Sequence, residues 1–270
     1  ALGVLRFAGQ RADDLVIGLV LGTTALGYYA LAYGVLTRLT NMLTSTASAV
    51  ALPTFSALQR DRARMAAAYL RATGLAASLA VPAGVGLMVV AEPVVRLGFG
   101  VQWLPSVPVL QVLMAATMLH CITHFNGPLL LACDRSGWLL TVRTIGSAAR
   151  LAGFVLAAQV GIVAVAAAYV LIGYVMLPVS LSLVRRCVPL SWGEWAGQYA
   201  GPVASALVMA AVLAAWRAVA GPAEGLWALG VMIGLGAAVY GLVLWGTAPE
   251  LPRTAWAYAR RAAGSRGEVR

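Results

Sequence analysis

Residues 151–184 carry no charged side chain. A helix needs about 20 mostly apolar residues to cross the hydrocarbon of a bilayer, so this run exceeds a single crossing. The rest of the chain is similar in character. Of its 270 residues, 61% are hydrophobic and 10% charged, and the mean hydropathy is +0.86. Soluble domains average about 25% charged residues. The sequence therefore reads as an all-α, polytopic transmembrane helix bundle. The short alternating segments of a membrane barrel do not appear. Glycine, at 29 residues, suits this solvent because small side chains let helices approach closely.

Eight segments have the length and composition of spans, near 1–21, 25–52, 67–91, 105–131, 137–158, 161–184, 198–219 and 226–247. Gln159, Val160 and Gly161 break the uncharged run, glycine favouring a tight turn. The formal net charge is +10, and all 19 basic residues are arginine. Cytoplasmic segments of membrane proteins hold the excess of basic residues. With the first helix running outward, 53–66, 132–136, 185–197 and the tail after 248 hold eleven arginines, and the outer loops hold only Arg96 and Arg217. Both ends of the chain are then cytoplasmic. Trp103, Trp192, Trp195, Trp227 and Trp245 fall near span ends, as an interfacial aromatic belt requires. The basic tail 248–270 reads as a surface segment resting on anionic lipid. Arginines scattered between apolar runs exclude a nucleic-acid partner. Cys121, Cys133 and Cys187 lack metal or redox spacing and imply no disulfide framework. Residue 1 is Ala, no signal-peptide pattern follows, and the sequence is expected to be the later part of a longer protein.

Charges that fall inside the predicted spans include Arg6, Arg11, Asp13, Asp14, Arg38, Arg143 and Arg150. Each costs about 2.5–3.5 kcal/mol at a lipid-facing helix centre, so it must face another helix, a partner charge or water. Counting 1.5 Å per residue, Asp13, Arg38 and Arg150 sit near the middle of three separate helices. Agreement in depth points to a polar cavity at the midplane, where transporters bind their substrates. Arg143 and Arg150 share a helix face, as do Arg6 and Asp13, and Arg11 can pair with Asp14 three residues on. Tyr29, Tyr33, Thr37, Asn41, Thr44 and Ser48 step by three or four and draw one polar stripe, with Arg38 and Ser45 at its edge. Thr117, His120, His124 and Gly127 draw a shorter one, beside Asn126. Structural readings stand beside these. Arg6 and Arg143 can snorkel to the cytoplasmic face, Arg11 and Asp14 can form a packing pair, and single Ser and Thr residues often bond their own backbone.

His120 and His124 form an H-x3-H pair. No Asp or Glu shares their span, and Cys121 lies about 100° off their face. The pair reads as cavity wall or helix–helix hydrogen bonding rather than a metal site, with titration near neutral pH a route to proton coupling. No cofactor is expected beyond a coupling proton or cation. Proline kinks a helix and frees a carbonyl. Pro53, Pro93 and Pro105 are expected to end spans, and Pro82, near Gly84 and Gly86, to act as a hinge.

Several runs carry a family likeness. They are Arg11 to Gly18 (RADDLVIG), Leu21-Gly22, Leu26 to Tyr33 (LGYYALAY), Leu52 to Gln59 (LPTFSALQ) with Asp61 and Tyr69-Leu70, Gln102 to Leu104, Pro108 to Leu113, Leu129 to Ala132, and Gly161 to Tyr169. In order and spacing they resemble the later half of bacterial polysaccharide and O-antigen flippases, the oligosaccharidyl-lipid exporter branch of the multidrug/oligosaccharidyl-lipid/polysaccharide exporter superfamily. The likeness covers about 3–185 and continues more weakly to about 247. It implies a fourteen-helix fold of which this chain supplies the last eight helices: 1–185 as the second six-helix transport lobe, 186–247 as two appended helices, 248–270 as the cytoplasmic tail. The first lobe would be the missing part of the same protein. It implies alternating access in the bacterial inner membrane, carrying an undecaprenyl-pyrophosphate-linked oligosaccharide outward for lipopolysaccharide, O-antigen or exopolysaccharide synthesis, with polysaccharide polymerase machinery as a further partner.

On that reading Arg11, Arg38, Arg143 and Arg150 would hold pyrophosphate through bidentate guanidinium contacts. Tyr29, Tyr33 and Asn41 would line the sugar path, Tyr29 and Tyr33 by ring stacking or by packing on neighbouring helices. Asp13, Asp14, His120 and His124 would balance charge or carry a coupling proton. A drug or cation antiporter of the same superfamily should show an acidic, aromatic cavity, where this chain has arginines. A membrane-embedded enzyme should show a carboxylate or histidine constellation, which Asp61, Glu194 and the distant histidines do not form. A non-transporting half-lobe is the remaining alternative.

Overall fold

The computed structural model describes residues 12–220 and 225–247, with side chains at 14–45, 50–219 and 225–247. All regular structure among them is helical: α1 Ala12–Val20, α2 Gly22–Ala57, α3 Arg62–Gly98, a 3-10 turn Val101–Ser106, α4 Val107–Thr123, α5 Asn126–Ala132, α6 Ser136–Ala157, α7 Ile162–Cys187, α8 Trp192–Ala220 and α9 Leu226–Thr247. Among the described residues, six segments are long and apolar enough to cross a membrane: Arg62–Gly98, Val101–Ala132, Ser136–Ala157, Ile162–Cys187, Trp192–Val219 and Leu226–Thr247. At 36 residues α2 has the length, but its polar stripe lowers its hydropathy and it is not among the six. Most of the first expected span lies outside the described residues.

The chain runs up and down, so its turns gather at two ends. One end carries the α2–α3, α5–α6 and α7–α8 turns and is rich in arginine; the other carries Arg96 and Arg217. Gly161, at φ 138°, makes the tight turn between α6 and α7, where the uncharged run was expected to break. Several loops are shorter than expected. The α2 helix continues through Pro53 to Ala57, and α3 starts at Arg62, N-capped by the Asp61 side chain accepting from the Arg64 amide at 3.0 Å.

Pro53 and Pro93 do not end their helices as expected; both lie inside. In α3 the reason is visible. Pro93 and Pro82 cannot donate to the carbonyls four residues earlier, Val89 and Ser78. Arg217 of α8 donates Nη1 to the Val89 carbonyl at 2.8 Å, and the Tyr240 hydroxyl of α9 donates to the Ser78 carbonyl at 2.8 Å. Helices α8 and α9 thus dock on α3 by serving both freed acceptors. Arg217 also pairs with Glu92 at 3.0 Å, and Glu92 with Arg96 at 2.8 Å.

Three apolar clusters form the interior. The first packs Tyr29, Leu110, Leu113, Phe154 and Tyr169 between α2, α4, α6 and α7. The second packs Phe55, Met65, Tyr69, Leu130 and Leu181 near the arginine-rich end. The third joins α3, α8 and α9 through Val81, Met209, Leu213, Met232 and Tyr240. Outward faces stay apolar: Leu140 and Leu156 on α6, and Leu226, Trp227, Leu242 and Trp245 on α9, are exposed. In a bilayer such faces meet lipid tails and need no further cover.

A candidate polar cavity between α2, α4 and α6

A cavity of about 570 Å³ is lined by Thr40, Asn41, Thr44 and Ser45 of α2, His120, Thr123 and His124 at the end of α4, and Arg143 of α6. All eight are polar, between helices whose other faces are apolar. Helical spacing explains α2's share: residues 40, 41, 44 and 45 lie on one face at i, i+1, i+4 and i+5. His120, Thr123 and His124 do the same on α4.

The hydroxyls of Thr44 and Thr123 turn partly inward to their own helices, donating to the Thr40 and Leu119 carbonyls at 2.8 Å each. The Thr40 hydroxyl is buried and has no partner among the described residues. His120 reaches past the wall, its Nε2 2.9 Å from the Tyr169 hydroxyl. Tyr169 is the hub of an aromatic group: Tyr33 meets it edge-on at 5.9 Å, Phe154 stacks at 6.3 Å, and the Arg150 guanidinium lies 5.3 Å over its ring. The Arg150 Nε–H is buried and has no hydrogen-bond partner among the described residues. Arg143 stands two turns before Arg150 on α6, its side chain close to Gly127.

Of the sequence-derived candidates, Asn41, His120, His124 and Arg143 line the cavity. Tyr33 and Arg150 sit behind it, joined through Tyr169. Tyr29 is fully buried and stacks on Tyr33 at 6.0 Å, so it belongs to the core here. Arg38 is exposed and outside the lining, although it shares a helix face with Asn41 and Ser45. Asp14 is half-buried on α1. Arg6, Arg11 and the Asp13 side chain lie outside the described residues. The α4 stripe divides: Thr117 is fully buried beside Gly84 of α3. Asn126 is a buried joint, accepting from the Tyr69 hydroxyl at 2.6 Å and donating to Ser180 at 2.9 Å.

Tyr169, Thr40 and Thr123 were not among the candidates. Tyr169 had a usable signal: a hydroxyl in the middle of an uncharged run must find a partner somewhere. Thr40 and Thr123 had none, since isolated threonines in helices commonly bond their own backbone.

Residues 1–108 match a family model described as "Polysaccharide biosynthesis protein". The teichuronic acid biosynthesis protein TuaB of Bacillus subtilis is 31% identical over 128 residues, 47% of this chain and 26% of TuaB. The lipopolysaccharide biosynthesis protein WzxC of Escherichia coli is 30% identical over 132 residues, 49% of this chain and 27% of WzxC. The matched stretches thus span about a quarter of the length of these relatives. A solved structure of the lipid II flippase MurJ, in an inward closed conformation, superposes with a TM-score of 0.68 over 88% of this chain and 52% of that one, at 15% identity. This chain therefore has the helical fold of that flippase over about half of the flippase's length. The likeness read in the sequence is found again as a likeness to polysaccharide and lipopolysaccharide biosynthesis proteins, and the chain is a multi-pass membrane protein.

Proposed function

We propose that this chain forms one lobe of a flippase that moves an undecaprenyl-pyrophosphate-linked oligosaccharide outward across the bacterial inner membrane by alternating access. The observation that carries the proposal is the polar cavity itself. Asn41, His120 and Arg143, from three different helices, meet around about 570 Å³ inside a bundle built for lipid. Polar groups inside a lipid-embedded bundle are costly unless they face water or a polar ligand.

The geometry favours an anionic, sugar-bearing ligand. Arg143 supplies a planar, permanently charged donor suited to phosphate. Asn41, Thr40, Ser45 and Thr123 supply the neutral hydrogen-bonding groups that sugar hydroxyls need. Exposed Arg38, on the Asn41 face, would extend the cationic path. The other half of the transporter, occupying the remaining length of the MurJ-like fold, would close the open side. In this reading the arginine-rich end and both termini are cytoplasmic, the protein is a transporter rather than an enzyme, and polymerase machinery takes up its product.

Proteoliposomes carrying the full-length protein test this. Transfer of a fluorescent undecaprenyl-pyrophosphate oligosaccharide between leaflets should require the protein. Efflux of organic cations, with no movement of the glycolipid, would instead favour the antiporter reading.

A further inference from the structure

The arginine-rich end holds a second concavity of about 220 Å³, lined by Gln59, Arg62, Met65, Ala132, Cys133 and Asp134. It forms where the α2–α3 and α5–α6 turns meet, tied by Gln59 Nε2 donating to the Ala132 carbonyl at 2.6 Å. Asp134 sits at φ 57°, a left-handed conformation that Asp tolerates better than most residues. The turn it makes sets Arg135 at the N-cap of α6.

Arginines from three elements lie at this end: Arg62 lines the hollow, Arg135 directly follows the lining Asp134, and Arg186 joins Arg135 at one indole. The Arg135 guanidinium lies 4.6 Å over the Trp138 ring, and Arg186, from the last turn of α7, reaches the same indole at 5.9 Å. Arg62 opens α3 and lines the hollow. Arg62 and Arg135 both lie within electrostatic reach of Cys187. Among the described residues, none of Arg62, Arg135 and Arg186 has a carboxylate within 4.0 Å. Asp134 is the one acidic residue of the lining and leaves a local excess of positive charge.

A guanidinium stacked on an indole keeps its N–H edge available for a ligand. Liquid water takes about 30 Å³ per molecule, so the hollow has room for about seven waters, or for a phosphodiester. Exposed Leu131 and Leu140 stand on the same α5–α6 hairpin, and Trp138 lies where interfacial tryptophans gather. Apolar surface beside an arginine cluster suits a ligand with both a phosphate and acyl chains. We propose that Arg62, Arg135, Trp138 and Arg186 form a binding site for the phosphodiester headgroup of an anionic glycerophospholipid from the adjoining leaflet. The site is separate from the transport cavity and does not depend on the flippase reading.

Native mass spectrometry of the delipidated full-length protein tests it, with phosphatidylglycerol, phosphatidylcholine or inorganic phosphate as the added probe. Phosphatidylglycerol should be retained in preference to phosphatidylcholine. One basic residue near an anionic surface is worth about a factor of five, so the double variant R135A/R186A should lose about 25-fold in retention. R135A and R186A singly should each show part of that loss, which keeps the test open if the double variant misfolds. R96A, at the opposite end, should bind normally. Undiminished retention in correctly folded R135A or R186A would overturn the site. Saturable binding of inorganic phosphate with no preference for phosphatidylglycerol would overturn the lipid assignment.

Discussion

The Arg217 guanidinium on α8 donates to the Val89 carbonyl on α3 at 2.8 Å, an acceptor that Pro93 leaves without its helical partner. The same guanidinium holds Glu92 through Nη2 at 3.0 Å. One side chain therefore both repairs a proline break and fastens α8 to α3. Replacing it with Met should strand the carbonyl and leave Glu92 with Arg96 as its one ion-pair partner among the described residues. Hydrogen bonds from charged groups are worth about 1.5–3 kcal/mol when buried, and Arg217 is partly exposed, so about 1–2 kcal/mol should be lost. Thermal unfolding in detergent reads this, and Arg217→Lys should keep part of the stability. An unchanged midpoint in Arg217→Met would show that the contact does not hold the helices.

Tyr240→Phe removes the matching cap at Ser78, below Pro82. Hydrogen bonds between membrane helices average about 0.6 kcal/mol, with a maximum near 1.7. A loss in that range is expected. The two caps lie about 16 Å apart along α3, counting eleven residues at 1.5 Å each, so the double variant with Arg217→Met should show additive losses. Strong coupling between them would mean that α8 and α9 dock as one unit.

Asn126 is 3% exposed and joins α3 to α7 through Tyr69 and Ser180. Asn126→Leu leaves both partners unsatisfied and should cost about 1–3 kcal/mol. Tyr69→Phe, which leaves Ser180 served, should cost less. Equal losses in the two variants would place the whole effect on the tyrosine bond.

Gly84 and Gly86 lie two and four residues after Pro82 and differ sharply in surroundings. A Cβ on Gly84 would stand 3.0 Å from the Met114 carbonyl oxygen, whereas one on Gly86 would meet only the mobile end of Met209 at 3.6 Å. Gly84→Ala should push α3 from α4 and lower the unfolding temperature. Gly86→Ala should be neutral or slightly stabilising. The reverse order would contradict the close α3–α4 approach.

Some of this arrangement was legible in the sequence because it follows from spacing. The uncharged run 151–184 and its break near Gly161 required two helices and a turn, and the polar periodicity of α2 foretold the Asn41–Thr44–Ser45 wall. What spacing does not encode is which distant groups meet. Pro93 looked like a terminator and Pro82 like a hinge because the donors that sustain α3 across them, Arg217 and Tyr240, lie more than a hundred residues away. Thr117 and His120 look alike as neighbours on one stripe, yet one turns to α3 and the other to the cavity, a difference set by the rotation of α4 in the bundle. Arg38 and Arg150 matched in depth, but depth leaves open the direction in which each side chain leaves its helix.

The central claim is that the cavity bounded by α2, α4 and α6 is the path of the anionic headgroup. The most direct measurement is glycolipid transfer between leaflets by full-length Arg143→Glu in proteoliposomes, beside Arg96→Glu at the far rim. Arg143→Glu places a carboxylate where pyrophosphate would pass and should slow transfer by about tenfold or more, an effect of about 1.4 kcal/mol or above, while Arg96→Glu transfers normally. Unimpaired transfer by a correctly folded Arg143→Glu protein would contradict the assignment of this cavity.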